Sequence, residues 1–200
     1  MKILAISWDY HAIWSIMALL VKHAKRGDHI TIAIGNTGTN GFKKVVEESF
    51  GIQDVRAFGA VPFSWFMSHA EEVMVKVTNI VRDVKPDIVL LQDPEGLAGG
   101  WYSLFCSLMD RAVHEASMRW APRGGAPEDK IHTPKKIYYW WPKNPNVIID
   151  VSEVVEEVKT ALSKFHLLIF KKEMAGYTHY ISNHVPLRAA QIEIKEYLES

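Results

Sequence analysis

Apolar residues in this chain fall into short unbroken runs, separated by longer stretches in which they recur every third or fourth position. Ile3 to Ile6, Ile30 to Ile34 and the DIVLL run from Asp87 to Leu91 predict strands buried within a sheet. Between the first two, Ile13, Ile16, Met17, Leu20 and Ala24 carry helical spacing over Ile13 to Lys25. Gly27 is placed to end that helix, because glycine reaches positive φ without a Cβ clash. Phe42 to Phe50 predicts another helix, stopped at Gly51, and Val55 to Phe58 a short third strand. A long helix is expected from an N-cap at Ser64 to Val84, just before Pro86. Strands that alternate with helices belong to a parallel sheet covered on both faces. The expected fold class is therefore α/β, a Rossmann-like three-layer sandwich with a mainly parallel sheet.

The second half is less regular. Trp101 to Met118 predicts a helix, and the polar, Gly- and Pro-rich Arg123 to Pro134 a loop. Lys136 to Trp141 and Val147 to Asp150 predict two more strands, and Ser152 is read as the cap of a helix from Glu153 to Phe165. A last helix is expected over Leu187 to Leu198, after a turn at His184-Val185-Pro186. No internal repeat or low-complexity segment divides the chain, so residues 1–200 are read as a single domain.

Composition narrows the function. With 48% hydrophobic residues the chain can build a core, and 23 Lys+Arg against 23 Asp+Glu leave no excess positive charge for general nucleic-acid binding. Cys106 is the sole cysteine, which excludes an internal disulfide and any zinc site built from several thiolates. No stretch approaches the roughly 20 apolar residues of a membrane helix. The start, MKILAISWDY, is broken by polar residues where a signal peptide would stay apolar. A soluble, cytoplasmic protein without a membrane partner is expected.

The order of motifs carries a resemblance. The strand Ile3–Ile6 is followed by Trp8-Asp9-Tyr10-His11-Ala12, a helix, Gly27-Asp28 and the strand ITIAI. Thr37-Gly38-Thr39 then stands at a turn, and KPDIVLLQDP further on. The stretch KIYYWWPKNPNVIIDVSEVVEEVKTALSKFH holds Asp150, Ser152, Lys159, Ala161, Leu162 and His166 in register with a family pattern. In this frame, covering roughly residues 2–166, the chain resembles the LmbE/PIG-L family of zinc-dependent de-N-acetylases. The resemblance implies an LmbE-like fold and hydrolysis of a C–N amide bond in an amino-sugar conjugate. It also implies a first motif after the first strand that supplies in turn a zinc-binding His, a general-base Asp and a zinc-binding Asp, and a second metal motif opening the helix after DIVLLQDP. Those places hold Trp8, Tyr10 and His11, and then Gly99-Gly100-Trp101-Tyr102. Zinc needs three N, O or S donors and an open position, and Trp offers only an N–H. The implied site is therefore lost or rebuilt.

Several side chains remain candidates. Asp9 and His11 stand at the carboxyl end of the first strand, where open α/β sheets place ligands, and are the candidate catalytic pair. The plainer reading is that Asp9 caps the next helix and His11 is a polar loop residue. Thr37, Trp101, Tyr102 and His166 are candidate substrate contacts. His179 and His184, with His11, are the residues from which a substitute metal set would be drawn. The loop Gly35 to Gly41 admits a phosphate-binding reading but lacks the Lys-Ser/Thr of a P-loop. Part of the aromatic cluster Trp101-Tyr102 and Tyr138 to Trp141 belongs to the core, but alternate strand residues face opposite sides, so the remainder suggests a sugar-stacking or oligomer surface, with an interface favoured.

These observations favour a divergent LmbE/PIG-L-like protein that has lost or rebuilt the zinc site of an amino-sugar N-deacetylase. No cofactor is expected on the purified protein, and zinc only if the site is rebuilt. The alternatives are an active hydrolase of N-acyl amino-sugar conjugates with a rearranged metal site, a sugar- or protein-binding module, and a nucleotide binder. The expected partner is a small molecule, such as an amino-sugar conjugate, with a homo-oligomer left open.

Overall fold

The computed structural model describes residues 1–35, 39–59, 63–96, 100–119, 130–170 and 182–189; within these, the side chains at 39, 63–65, 67, 101 and 166–170 lie outside the description. Strands β1 (Lys2–Ser7), β2 (His29–Ile34), β3 (Asp54–Ala57), β4 (Ile88–Gln92), β5 (Lys136–Trp140), β6 (Val147–Asp150) and β7 (His184–Ala189) form one mixed sheet. Its order is β3-β2-β1-β4-β5-β7-β6. The first five strands run parallel, and β7 is antiparallel to both β5 and β6. The predicted runs Ile3–Ile6, Ile30–Ile34 and Asp87–Leu91 are neighbours here, with Ile3 opposite both Ile30 and Ile88.

Helices α1 (Tyr10–Trp14), α2 (Met17–Lys25), α3 (Thr39–Phe50), α4 (Phe63–Val84), α5 (Trp101–Glu115) and α6 (Val155–Phe170) cover both faces. Alternation along each strand divides the apolar residues into two cores. Ile3, Ala5, Ile30, Ile32, Leu90 and Trp140 join α1, α2, α3 and α6. Leu4, Ile6, Ala33, Val89, Leu91 and Tyr139 join α4 and α5. Burial on both sides is why the central strands read as unbroken apolar runs, and each enclosed Leu or Ile contributes about 1.5–3 kcal/mol.

Four local expectations are corrected. The helix expected over Ile13 to Lys25 is two helices, since the Ser15 hydroxyl donates to the Ala12 carbonyl at 2.6 Å and Ile16 leaves helical geometry (φ −113°, ψ 5°). A side chain bonding its own backbone in this way competes with the helix ladder. The segment from His184 to Ala189, assigned to a turn and the start of a last helix, is strand β7, because pairing with both β5 and β6 outweighs its local pattern; residues 190–200 lie outside the description. Ser64 falls inside α4, which begins at Phe63. Before α6, Ser152 is the first residue of a 3-10 turn (Ser152–Val154) rather than a cap, and Asp150 Oδ1 accepts both its backbone N–H and its hydroxyl. Gly27 does end α2, at φ 83°.

Candidate functional site

The carboxyl ends of β1, β4 and β5 set three loops side by side. After β1, Trp8 turns into the α4–α5 core, edge-to-face with Phe66 at 5.1 Å and Phe105 at 5.4 Å, and is only 6% exposed. Gly35 makes room for it, since a Cβ there would lie 3.0 Å from both the indole and Phe58. Asp9 follows as the N-cap of α1, its Oδ1 accepting the Ala12 N–H at 2.9 Å. Its Oδ2 accepts the hydroxyl of Tyr102 in the first turn of α5, which ties the β1 loop to that helix. Tyr10 packs on Phe165 and Phe42 in the opposite core.

His11 sits beside the Tyr10 ring, half-buried. Burial lowers its pKa below the ordinary 6.5, and the Asp9 charge only partly opposes this, so the neutral imidazole is favoured near pH 7. Burial and the Asp9 carboxylate both push the Tyr102 phenol upward, so it stays a protonated donor. Among the described residues no three His, Cys, Asp or Glu side chains gather as a metal would require.

The larger feature lies one strand over. Asp93, directly after β4, is buried, and Arg188 of β7 grips it with two hydrogen bonds, Nε to Oδ2 at 2.6 Å and Nη2 to Oδ1 at 2.8 Å. Arg188 also lies 4.4 Å above the centroid of the Tyr139 ring. The backbone N–H of Glu95 donates to Asp93 Oδ1, and the Ser103 hydroxyl donates to the Pro94 carbonyl, so the loop after β4 is held at both ends. Gly96 is required by packing, since a Cβ there would lie 2.3 Å from the Trp141 carbonyl oxygen. This pair floors a cleft of ≈ 500 Å³ lined by Asp93, Glu95, Gly100, Ser103, Lys143, Asn144 and neighbouring backbone. Its volume lies in the range of small-molecule sites, and its place is the carboxyl edge of a parallel sheet.

Of the residues expected at the site, Asp9 and Tyr102 meet directly and His11 stands next to Asp9. Thr37 and His179 lie outside the described residues, as do the side chains of Trp101 and His166; His184 is an exposed residue at the start of β7. Of the aromatic run, Tyr139 and Trp140 are core, and Tyr138 and Trp141 are partly exposed while packing against it. Sequence reasoning missed Asp93 and Arg188. An acid placed immediately after the most apolar strand was the available signal for the first; the second was hidden by the helical reading of its segment.

No family model and no curated protein matches the sequence. Solved structures do. GalB, the 4-carboxy-2-hydroxymuconate hydratase of Pseudomonas putida KT2440, matches with TM-score 0.73 and 15% identity over 99% of both chains. The N,N'-diacetylchitobiose deacetylase of Pyrococcus horikoshii matches with TM-score 0.72 and 15% identity, over 94% of this chain and 83% of that one. A triple mutant of the deacetylase Orf2 of the teicoplanin biosynthetic pathway gives TM-score 0.61 at 10% identity, over 96% and 100%. The LmbE/PIG-L resemblance is thus borne out in the fold, which is one shared by deacetylases and a hydratase. At these identities the likeness speaks for the fold, and chemistry has to be argued from the site.

Proposed function

We propose that this chain is a divergent LmbE/PIG-L-like protein that has given up the family's zinc centre and binds a small polar molecule in the cleft over Asp93 and Arg188. The observation that carries this reading is the fate of the first motif. Where the resemblance implies a ligand, Trp8 is enclosed by Phe66 and Phe105, and where it implies a base, Tyr10 is packed on Phe42 and Phe165. Among the described residues the donor set does not fit zinc: His11 offers one nitrogen, the Asp9 carboxylate is engaged by Ala12 and Tyr102, and no three His, Cys, Asp or Glu side chains gather there. Recruiting further ligands would also require new groups to orient them, which makes loss simpler than rebuilding.

In this reading Asp9, His11 and Tyr102 lie outside the lining of the cleft and form no metal centre. Tyr102 is next in sequence to cleft-lining Ser103, and its bond to Asp9 fixes where α5 begins relative to β1. Arg188 and Asp93 form a rigid floor, and Lys143, Asn144, Glu95 and Ser103 supply the polar groups that orient a ligand. The test is elemental analysis of the purified protein beside an N-acetylglucosamine-release assay with added zinc. No stoichiometric zinc and no release are expected. One zinc per chain, with release abolished by His11→Ala, would overturn the proposal in favour of an active hydrolase with a rearranged site.

A further inference from the structure

Resting on the cleft reading above, we infer that the ligand is a small zwitterion, a molecule carrying one ammonium and one carboxylate, held between Glu95 and Lys143. The inference follows from which charges of the cleft are already spent. Asp93 and Arg188 compensate each other through two hydrogen bonds, and Asp93 also takes the Glu95 N–H. The guanidinium is further occupied by the face of Tyr139. This pair contributes shape and no net charge. Two ionic groups remain on the lining, the Glu95 carboxylate and the Lys143 ammonium. Both are exposed, and among the described residues neither is joined to an opposite charge by a salt bridge, although Glu95 acts on Arg188 at longer range.

Charge matching then selects the ligand by exclusion. A simple anion is drawn to Lys143 but repelled by Glu95, and a simple cation meets the converse. A neutral polyol gains hydrogen bonds from Asn144 and Ser103 but leaves both charges to water. Only a ligand with both signs satisfies both groups while the cleft stays neutral. Juxtaposing like charges penalises the wrong partners, and so gives specificity, even where each exposed pair adds little affinity. Free amino acids, ω-amino acids and dipeptides belong to this class and fit the ≈ 500 Å³ available.

The experiment is a titration of the full chain followed by amide chemical shifts. The probes are three zwitterions of increasing charge separation, L-serine, γ-aminobutyrate and glycylglycine. Beside them stand N-acetyl-L-serine (carboxylate only), L-serinamide (ammonium only) and N-acetylglucosamine (neutral). At least one zwitterion is expected to move the Gly96, Gly100 and Asn144 amides, with the singly charged and neutral probes binding at least about tenfold more weakly. Lys143→Gln and Glu95→Gln should each weaken that zwitterion by about two- to fivefold, and Glu95→Gln should bring N-acetyl-L-serine closer to it. Both positions are exposed, so both variants fold. Failure of all three zwitterions, or affinities that both variants leave unchanged, overturns the inference. N-acetylglucosamine moving the same amides more tightly than any zwitterion keeps the cleft but overturns its ligand class. Zinc-dependent release of acetate would instead overturn the function proposed for the whole site.

Discussion

Asp93 is a buried charge whose compensation comes from a residue 95 positions later in the chain. Removing Arg188 leaves that carboxylate enclosed without its partner, the costly half of the asymmetry between breaking an ion pair and replacing it. Arg188→Gln is expected to lower unfolding free energy by about 2–3 kcal/mol, below the 3–5 of a wholly enclosed pair because the guanidinium reaches solvent. In urea titrations the double variant Asp93→Asn/Arg188→Gln should recover part of that loss; equal or greater destabilisation would mean the pair is not coupled as described. His11 adds a pH dependence at the same scale. Its folded pKa lies below the unfolded 6.5 because burial disfavours the cation. The unfolded chain therefore binds the extra proton first. The contribution is fully present above about pH 6.5 and is lost as pH falls through the folded value. Melting temperature should drop between about pH 7 and about pH 5 in the native chain. It should drop less in His11→Gln, and identical pH profiles would refute the assignment.

At the scale of elements, the loop after β1 shows how much could be read beforehand. The central strands were legible because burial on both faces keeps their middles apolar, as Ile3 to Ile6 and Val89 to Leu91 display. The place of Asp9 at the carboxyl edge followed from the strand–helix order. What was not legible depends on partners distant in sequence. β7 is a strand because β5 and β6 flank it, and nothing in HVPLRA announces that. Arg188 was therefore invisible as a partner of Asp93, and so was the cleft they line. Trp8 was readable as a missing ligand but not as a core residue, since its pocket is made by Phe66, Phe105 and the absence of a side chain at Gly35. Trp8→His tests that role. Exchanging a buried indole for an imidazole opens a cavity and should cost about 3 kcal/mol in urea unfolding. Equilibrium dialysis should show no stoichiometric zinc uptake, because the new imidazole would face the α4–α5 core. Uptake of one zinc by this variant would mean that the loop still presents a ligand position.

At the scale of the whole molecule, the carboxyl edge of the sheet is closed by contacts the chain makes with itself. The β1 loop is fastened to α5 by Tyr102 and Asp9, and the β4 loop to β7 by Asp93 and Arg188. The β1–α5 junction is also sealed by Trp8 between Phe66 and Phe105. In a protein whose edge is held by a metal, the ion binds the native state alone and adds stability as RT ln(1 + [L]/Kd), about 4 kcal/mol at a thousandfold excess over Kd. Chelation then removes that contribution and lowers the melting temperature by many degrees. Among the described residues these fastenings are side chains, so the proposed loss of zinc carries a thermodynamic signature independent of any activity. The melting temperature should be the same, within experimental error, in excess EDTA and in added zinc. Tyr102→Phe should remain equally insensitive to chelator while melting lower, since it deprives Asp9 Oδ2 of its donor at a cost of about 1–2 kcal/mol. A marked fall of the native chain's melting temperature in EDTA, reversed by zinc, would mean that a metal does hold this edge and that the self-contained closure is wrong.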